Sequence, residues 1–200
     1  MTIYHRKTDP KVVGGKTLKK ANWDRTVERA FLCPDDIFVE QRKPGKGYKH
    51  VVSRRQVTTF LNLLPDWGEI SRGLRGVILD EGGQDCDGWH DSGTVALCAW
   101  KEDLWITVTE PYRTEHAEVL AMLGVESERV EDDQHLLKYT PRQATAFALV
   151  HVLLHEFGHH HDRMTTRSRS RASRGEGYAE RYAIEYAPTI WERYQDTLGW

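Results

Sequence analysis

Apolar and polar positions follow several different rhythms along this chain, and each rhythm predicts an element. Residues 36–41 (DIFVEQ) have the β-branched and aromatic character of a strand. They run into a Pro44-Gly45-Lys46-Gly47 turn, after which Tyr48 to Val52 is expected to pair back as a hairpin. Ser53 and Gln56 form a capping box ahead of VTTFLNLLP, a helix that should end at Pro65. Gly76 to Asp80 is a short apolar strand, and EGGQDCDGWHDSG reads as a loop. TVALCAWKEDLWITVTE reads as two strands joined at Lys101-Glu102-Asp103, with Trp105, Thr107 and Thr109 opposed to Ile106 and Val108 on the second strand's two faces. A helix is expected from about Thr114 to Leu123, stopped by Gly124, and Glu126 to Gln134 reads as an acidic loop.

The last third is helical. Thr140-Pro141-Arg142-Gln143 is a start signal: a Thr cap, Pro at the first helical position and Gln three after the cap. The largely apolar run ATAFALVHVLLHEFGHHH marks this helix as central and buried. TTRSRSRASR follows as a Ser/Arg loop: a solvated segment, a lid or an acidic-substrate contact, with nucleic-acid binding the weakest reading. Glu176 to Leu198 is a second helix, interrupted or kinked at Pro188. The expected class is α+β, a small, mostly antiparallel sheet packed on helices. Residues 1–30, polar and rich in Lys and Arg, read as an N-terminal arm with a short helix around residues 23–31. Residues 31–200 then form one domain.

Composition narrows the class. A formal net charge of −2 removes the electrostatic case for nucleic acid. Three Cys, an odd number with no C-x-x-C pair, point to reduced thiols and a cytoplasmic protein rather than a disulfide framework. The first residues lack the apolar stretch of a secretory signal, and no apolar run is long enough to span a bilayer.

The chemistry concentrates in His155-Glu156-Phe157-Gly158-His159. On a helix, His155 and His159 lie one turn apart on one face, close enough to share a tetrahedral ion. Two imidazoles and a carboxylate suit Zn2+ with one position left for water. Glu156, beside the first ligand, can accept that water's proton and return it to a leaving group. Gly158 and the small Ala179 and Ala183 would let the two C-terminal helices approach closely. His151, one turn before His155, is a core residue or an extension of the metal face, and His160 and His161 are expected at the rim. Downstream, Glu176 and Glu180 share one face of the second helix. One could bind the ion while the other accepts the free N–H of a ligand histidine.

The stretches His155–His159 and Glu176-Gly177-Tyr178-Ala179-Glu180-Arg181-Tyr182-Ala183 together resemble the gluzincin type of zinc metallopeptidase in its minimal form. Those proteins carry H-E-x-x-H on one helix and E-x-x-A-[N/D]-x-F-A on the next. The resemblance implies a zincin-like fold, His155, His159 and Glu176 as zinc ligands, Glu156 as general base and Glu180 behind a ligand. Glu180 stands where the family has Asn or Asp, and Tyr182 replaces its Phe. The metzincin pattern fits less well, because Asp162 and Thr165 occupy its Gly and third His positions. The implied activity is hydrolysis of a peptide or protein substrate lying along an edge strand within Thr94 to Thr109, with Tyr178, Tyr182 or His160 steadying the oxyanion. The alternatives are a non-catalytic interaction module with structural zinc and a metal-dependent hydrolase of other substrates.

Overall fold

A computed structural model describes residues 33–83, 86–166 and 174–199, and the strand pair β1 (Val12–Val13) and β2 (Lys16–Thr17). The expected helix at 23–31, the rest of the arm and most of the Ser/Arg loop lie outside these residues. The fold is mixed α and β with small sheets. After a 3-10 turn at Pro34–Asp36 come β3 (Val39–Gln41), β4 (Tyr48–Lys49), α1 (Arg54–Leu61), α2 (Trp67–Ile70), β5 (Gly76–Asp80), β6 (Gly88–Asp91) and β7 (Thr94–Cys98). Next are β8 (Trp100–Lys101), β9 (Trp105–Thr109), α3 (Glu110–Glu115), α4 (Ala117–Met122), β10 (Glu126–Glu131) and β11 (Gln134–Lys138). The chain ends in α5 (Pro141–Phe147), a π-helical stretch (Ala148–Leu153), α6 (Leu154–Thr165) and α7 (Glu176–Tyr194), with a further π-helical turn at Gln195–Gly199.

The principal sheet has the order β3-β5-β7-β6. Its first three strands are parallel, and β6 is the antiparallel edge. Antiparallel pairing holds elsewhere among the described residues, so the expectation of a mostly antiparallel sheet fails for the sheet that backs the motif helix. The reason is burial: β5 is buried at every position and β7 at all but its first, as a strand covered on both faces must be.

Two expected hairpins do not form. Val39–Gln41 pairs with β5 and Tyr48–Lys49 with β8, while β7 and β9 belong to different sheets. Two hairpins occur where loops were expected. β6 and β7 turn at Ser92-Gly93, both with positive φ, the backbone of a tight hairpin turn. β10 and β11 pair across exposed, charged positions, with Lys138 and Glu128 joined at 2.6 Å. The helix expected at Thr114–Leu123 is two short helices broken at His116 and begins at Glu110.

Both capping boxes form, Ser53 with Gln56 and Thr140 with Gln143. The residues from Pro141 to Thr165 run as one continuous helical body. Phe147, Leu149, Val150, Leu153, Leu154 and Phe157 are fully buried in it. Its middle widens to π geometry just before the motif, a local feature that recurs at functional sites. α6 packs on α7 along one side and on β6 and β7 along another. Pro188 lies inside α7 without ending it.

Candidate metal centre

The first turns of α6 and the first residue of α7 bring three ligand atoms together. His155 Nε2 lies 3.1 Å from His159 Nε2 and 3.1 Å from Glu176 Oε2, and His159 Nε2 lies 3.3 Å from that same oxygen. An ion bound tetrahedrally at zinc–nitrogen or zinc–oxygen distances would set its ligands about 3.3 Å apart. The triangle is therefore already of the right size for one small divalent ion. Converging lone pairs of two imidazoles and a carboxylate also repel unless a cation or a proton lies among them, so the donor set itself fits a metal. His155 is buried, whereas the His159 and Glu176 side chains are 18% and 42% exposed, which leaves one side of the triangle open to water. Contact with the two histidines, His155 first, holds the Glu176 carboxyl well below the usual carboxylate range.

The tautomer of His155 is set from behind. Glu180 is buried, and its Oε2 lies 2.9 Å from His155 Nδ1. A carboxylate oxygen accepting there keeps the proton on Nδ1 and leaves the Nε2 lone pair facing His159 and Glu176. The other Glu180 oxygen lies 3.6 Å from His151 Nε2. His151 packs edge-on against His116, whose Nδ1–H donates to the Tyr112 carbonyl at 2.7 Å. The ligand atoms of His116, His151 and Glu180 lie within 4.8 Å of one another, all buried. His151 is buried behind Glu180, and with His116 and Glu180 it forms a second group that could hold a metal ion.

Glu156 is buried at 3% exposure beneath the edge strand. β6 comes so close there that a Cβ on Gly88 would sit 3.1 Å from Glu156 Cγ and 2.7 Å from the Ala96 carbonyl oxygen. The general-base candidate therefore lies against β6, which has no strand partner on its other side among the described residues.

Asp162, a residue that no motif singles out, fixes the position of Glu176. Its buried carboxylate accepts from Thr166 Oγ1 at 2.7 Å, from Arg174 Nε at 2.8 Å and from the Gly175 N–H at 3.2 Å. One side chain so ties the end of α6 to the residue that precedes Glu176. No pattern in the sequence signals this, because the contacts cross a polar loop.

The expected rim position fails for His160 and holds for His161, whose side chain is 21% exposed. His160 is buried, and its Nε2–H donates to the Arg72 carbonyl at 2.9 Å. Burial pushes its pKa down to about 4, so the ring is neutral and faces the interior. His161 Nδ1 and Tyr178 Oη share a hydrogen bond at 2.7 Å, and His161 Nε2 lies 3.2 Å from Glu69. Tyr182 stacks between His161 and Tyr186. Of the residues expected to steady an oxyanion, His160 and Tyr178 are held by these hydrogen bonds. Against protein-family models, curated proteins and solved structures, the chain has no significant match.

Proposed function

We propose that the protein is a zinc-dependent hydrolase with a zincin-like site, and that its substrate is a peptide bond. The single observation that carries the proposal is the triangle of His155 Nε2, His159 Nε2 and Glu176 Oε2, with sides of 3.1, 3.1 and 3.3 Å. The gluzincin resemblance of the two helices supplies the peptide, and the intact Glu156 favours catalysis over a structural ion. A zinc ion held by His155, His159 and Glu176 would supply Lewis acidity, activating water and polarising a carbonyl.

The protein's own groups supply the remaining chemistry. Glu156, buried beside the ligand pair, takes the proton of the attacking water and delivers it to the leaving amine. Glu180 keeps the His155 lone pair aimed at the centre. The free edge nearest Glu156 belongs to β6, not to Thr94–Cys98, which is interior to its sheet. An extended peptide adding to that edge at Gly88–Asp91 would pass over the base. No helix among the described residues is long and apolar enough to cross a membrane. The three free thiols fit a cytoplasmic setting.

The test is metal analysis of protein purified without chelator, with hydrolysis of a denatured protein substrate followed in parallel. We expect one zinc per chain. Glu156→Gln should keep the zinc and the fold and lose hydrolysis. Zinc-free protein, together with unchanged zinc affinity in Glu176→Ala, would overturn the ligand set. Bound zinc with no hydrolysis by the native protein would favour an interaction module.

A further inference from the structure

Two thiols meet where β6 begins, near Glu156. Cys86 just precedes β6 and Cys98 ends β7, yet their Sγ atoms lie 3.4 Å apart. The Cys98 N–H donates to the Asp87 carbonyl at 2.9 Å, which holds the two segments in register. Cys98 is buried and Cys86 is half-buried, while the exposed Cys33 is the other free thiol. The pair is chemically unequal. A hydrogen bond from Cys98 holds the Cys86 thiol below its ordinary value, and that same contact, with burial, pushes Cys98 up. The more accessible sulfur, Cys86, has its partner thiol in direct contact. This is the arrangement of an attacking and a resolving thiol.

We propose that Cys86 and Cys98 are a redox-active pair that closes to a disulfide under a hydroperoxide and pins the start of β6 beside Glu156. The Cys86 thiolate attacks the peroxide oxygen, and the O–O bond breaks to give a sulfenic acid and hydroxide, or an alkoxide from an organic peroxide. Cys98 sulfur then attacks Cys86 sulfur, its proton leaves with the sulfenic hydroxyl as water, and the S–S bond forms. Two electrons pass from the dithiol to the peroxide. Closure brings the sulfurs from 3.4 Å to about 2.05 Å by side-chain rotation. Gly88, two residues beyond Cys86, is the point where β6 touches Glu156, so the bond restrains the strand at that contact. The effect on hydrolysis rests on the proposed function, but disulfide formation does not.

The reduced, full-length protein is treated with stoichiometric hydrogen peroxide and analysed by thiol titration, peptide mapping and hydrogen exchange. Free thiols should fall from three to one, with a reducible Cys86–Cys98 peptide and slower exchange of the Gly88–Asp91 amides. In Cys98→Ser, Cys86 should stop at a sulfenic acid that dimedone traps, and should go on to the sulfinic acid only with a second equivalent of peroxide. In Cys86→Ser, Cys98 should remain a thiol, and this half-buried position carries the test if the buried variant fails to fold. Sulfinic acid at Cys86 in the native protein without the linked peptide, linkage through Cys33, or unchanged exchange in β6 would overturn the proposal. Zinc content of the reduced protein, measured alongside, reports separately on the metal reading.

Discussion

Gly158 and Ala179 meet backbone to backbone where α6 crosses α7. A Cβ on Gly158 would lie 2.7 Å from Ala179 Cα, 3.0 Å from its carbonyl oxygen and 3.0 Å from Tyr182 Cβ. Two of those atoms belong to the main chain and cannot rotate aside. Gly158→Ala must therefore push apart the helices that bring His155 and His159 to Glu176. The better helix propensity of Ala is worth about 1 kcal/mol, whereas overpacking costs about 1–3 kcal/mol. We expect a lower melting temperature and weaker zinc binding. Gly177→Ala is the control: nothing lies within 4 Å of its added Cβ, so thermal unfolding should show a neutral or stabilising effect.

Glu180 is expected to act on the metal through His155. Glu180→Ala removes the acceptor 2.9 Å from His155 Nδ1 and should weaken zinc binding by about 10–100-fold, with the ligand set intact. Competition with a chromophoric chelator measures this. Affinity equal to the native protein's would remove Glu180 from the site.

Asp162 links the stability of the α6–α7 connection to pH. Burial raises its pKa, but bonds from Thr166, Arg174 and the Gly175 N–H outweigh that and the net shift is downward. A carboxyl whose folded pKa lies below its unfolded value of about 3.9 contributes stability above that value. The contribution is lost as pH falls through the folded value, because the unfolded chain takes the proton first. In metal-free protein, Asp162→Ala should cost about 1–3 kcal/mol at neutral pH, since it removes the buried carboxylate that accepts from Thr166, Arg174 and the Gly175 N–H. Denaturant melts at pH 7 and pH 3 should show the gap between native and variant shrinking in acid.

Zinc should stabilise the folded chain, because the three ligands converge only when α6 and α7 are packed. At a free zinc concentration a thousandfold above the dissociation constant, mass action adds about 4 kcal/mol. The melting temperature should rise with zinc, fall with chelator, and lose its zinc dependence in Glu176→Ala. A zinc-dependent rise that persists in Glu176→Ala would assign the ion to other residues.

Local chemistry was legible wherever it acts within a turn or two. The capping boxes at Ser53 and Thr140 are contacts three residues long, and both form as their residue types dictate. The one-turn spacing of His155 and His159 survives folding for that same reason. Sheet pairing was not legible. The edge strand beside Glu156 lies in a polar stretch, and its pairing depends on a β7 buried on both faces. The Ser92-Gly93 turn was the available signal for it. His160 looked like a rim residue on polarity, but the Arg72 carbonyl, 88 residues away, turned it inward.

Residue types and their spacing are enough to specify a helix with two imidazoles on one face, a carboxylate between them in the chain, and a second helix with two more carboxylates. They leave open which of those two would face the histidines. The tertiary structure decided that Glu176 joins them and Glu180 stands behind His155, through the close Gly158–Ala179 crossing and the Asp162 tie. Helical geometry fixes neighbours by spacing alone. The distance between two helices depends on what their facing side chains allow, and that exists only once the chain has packed.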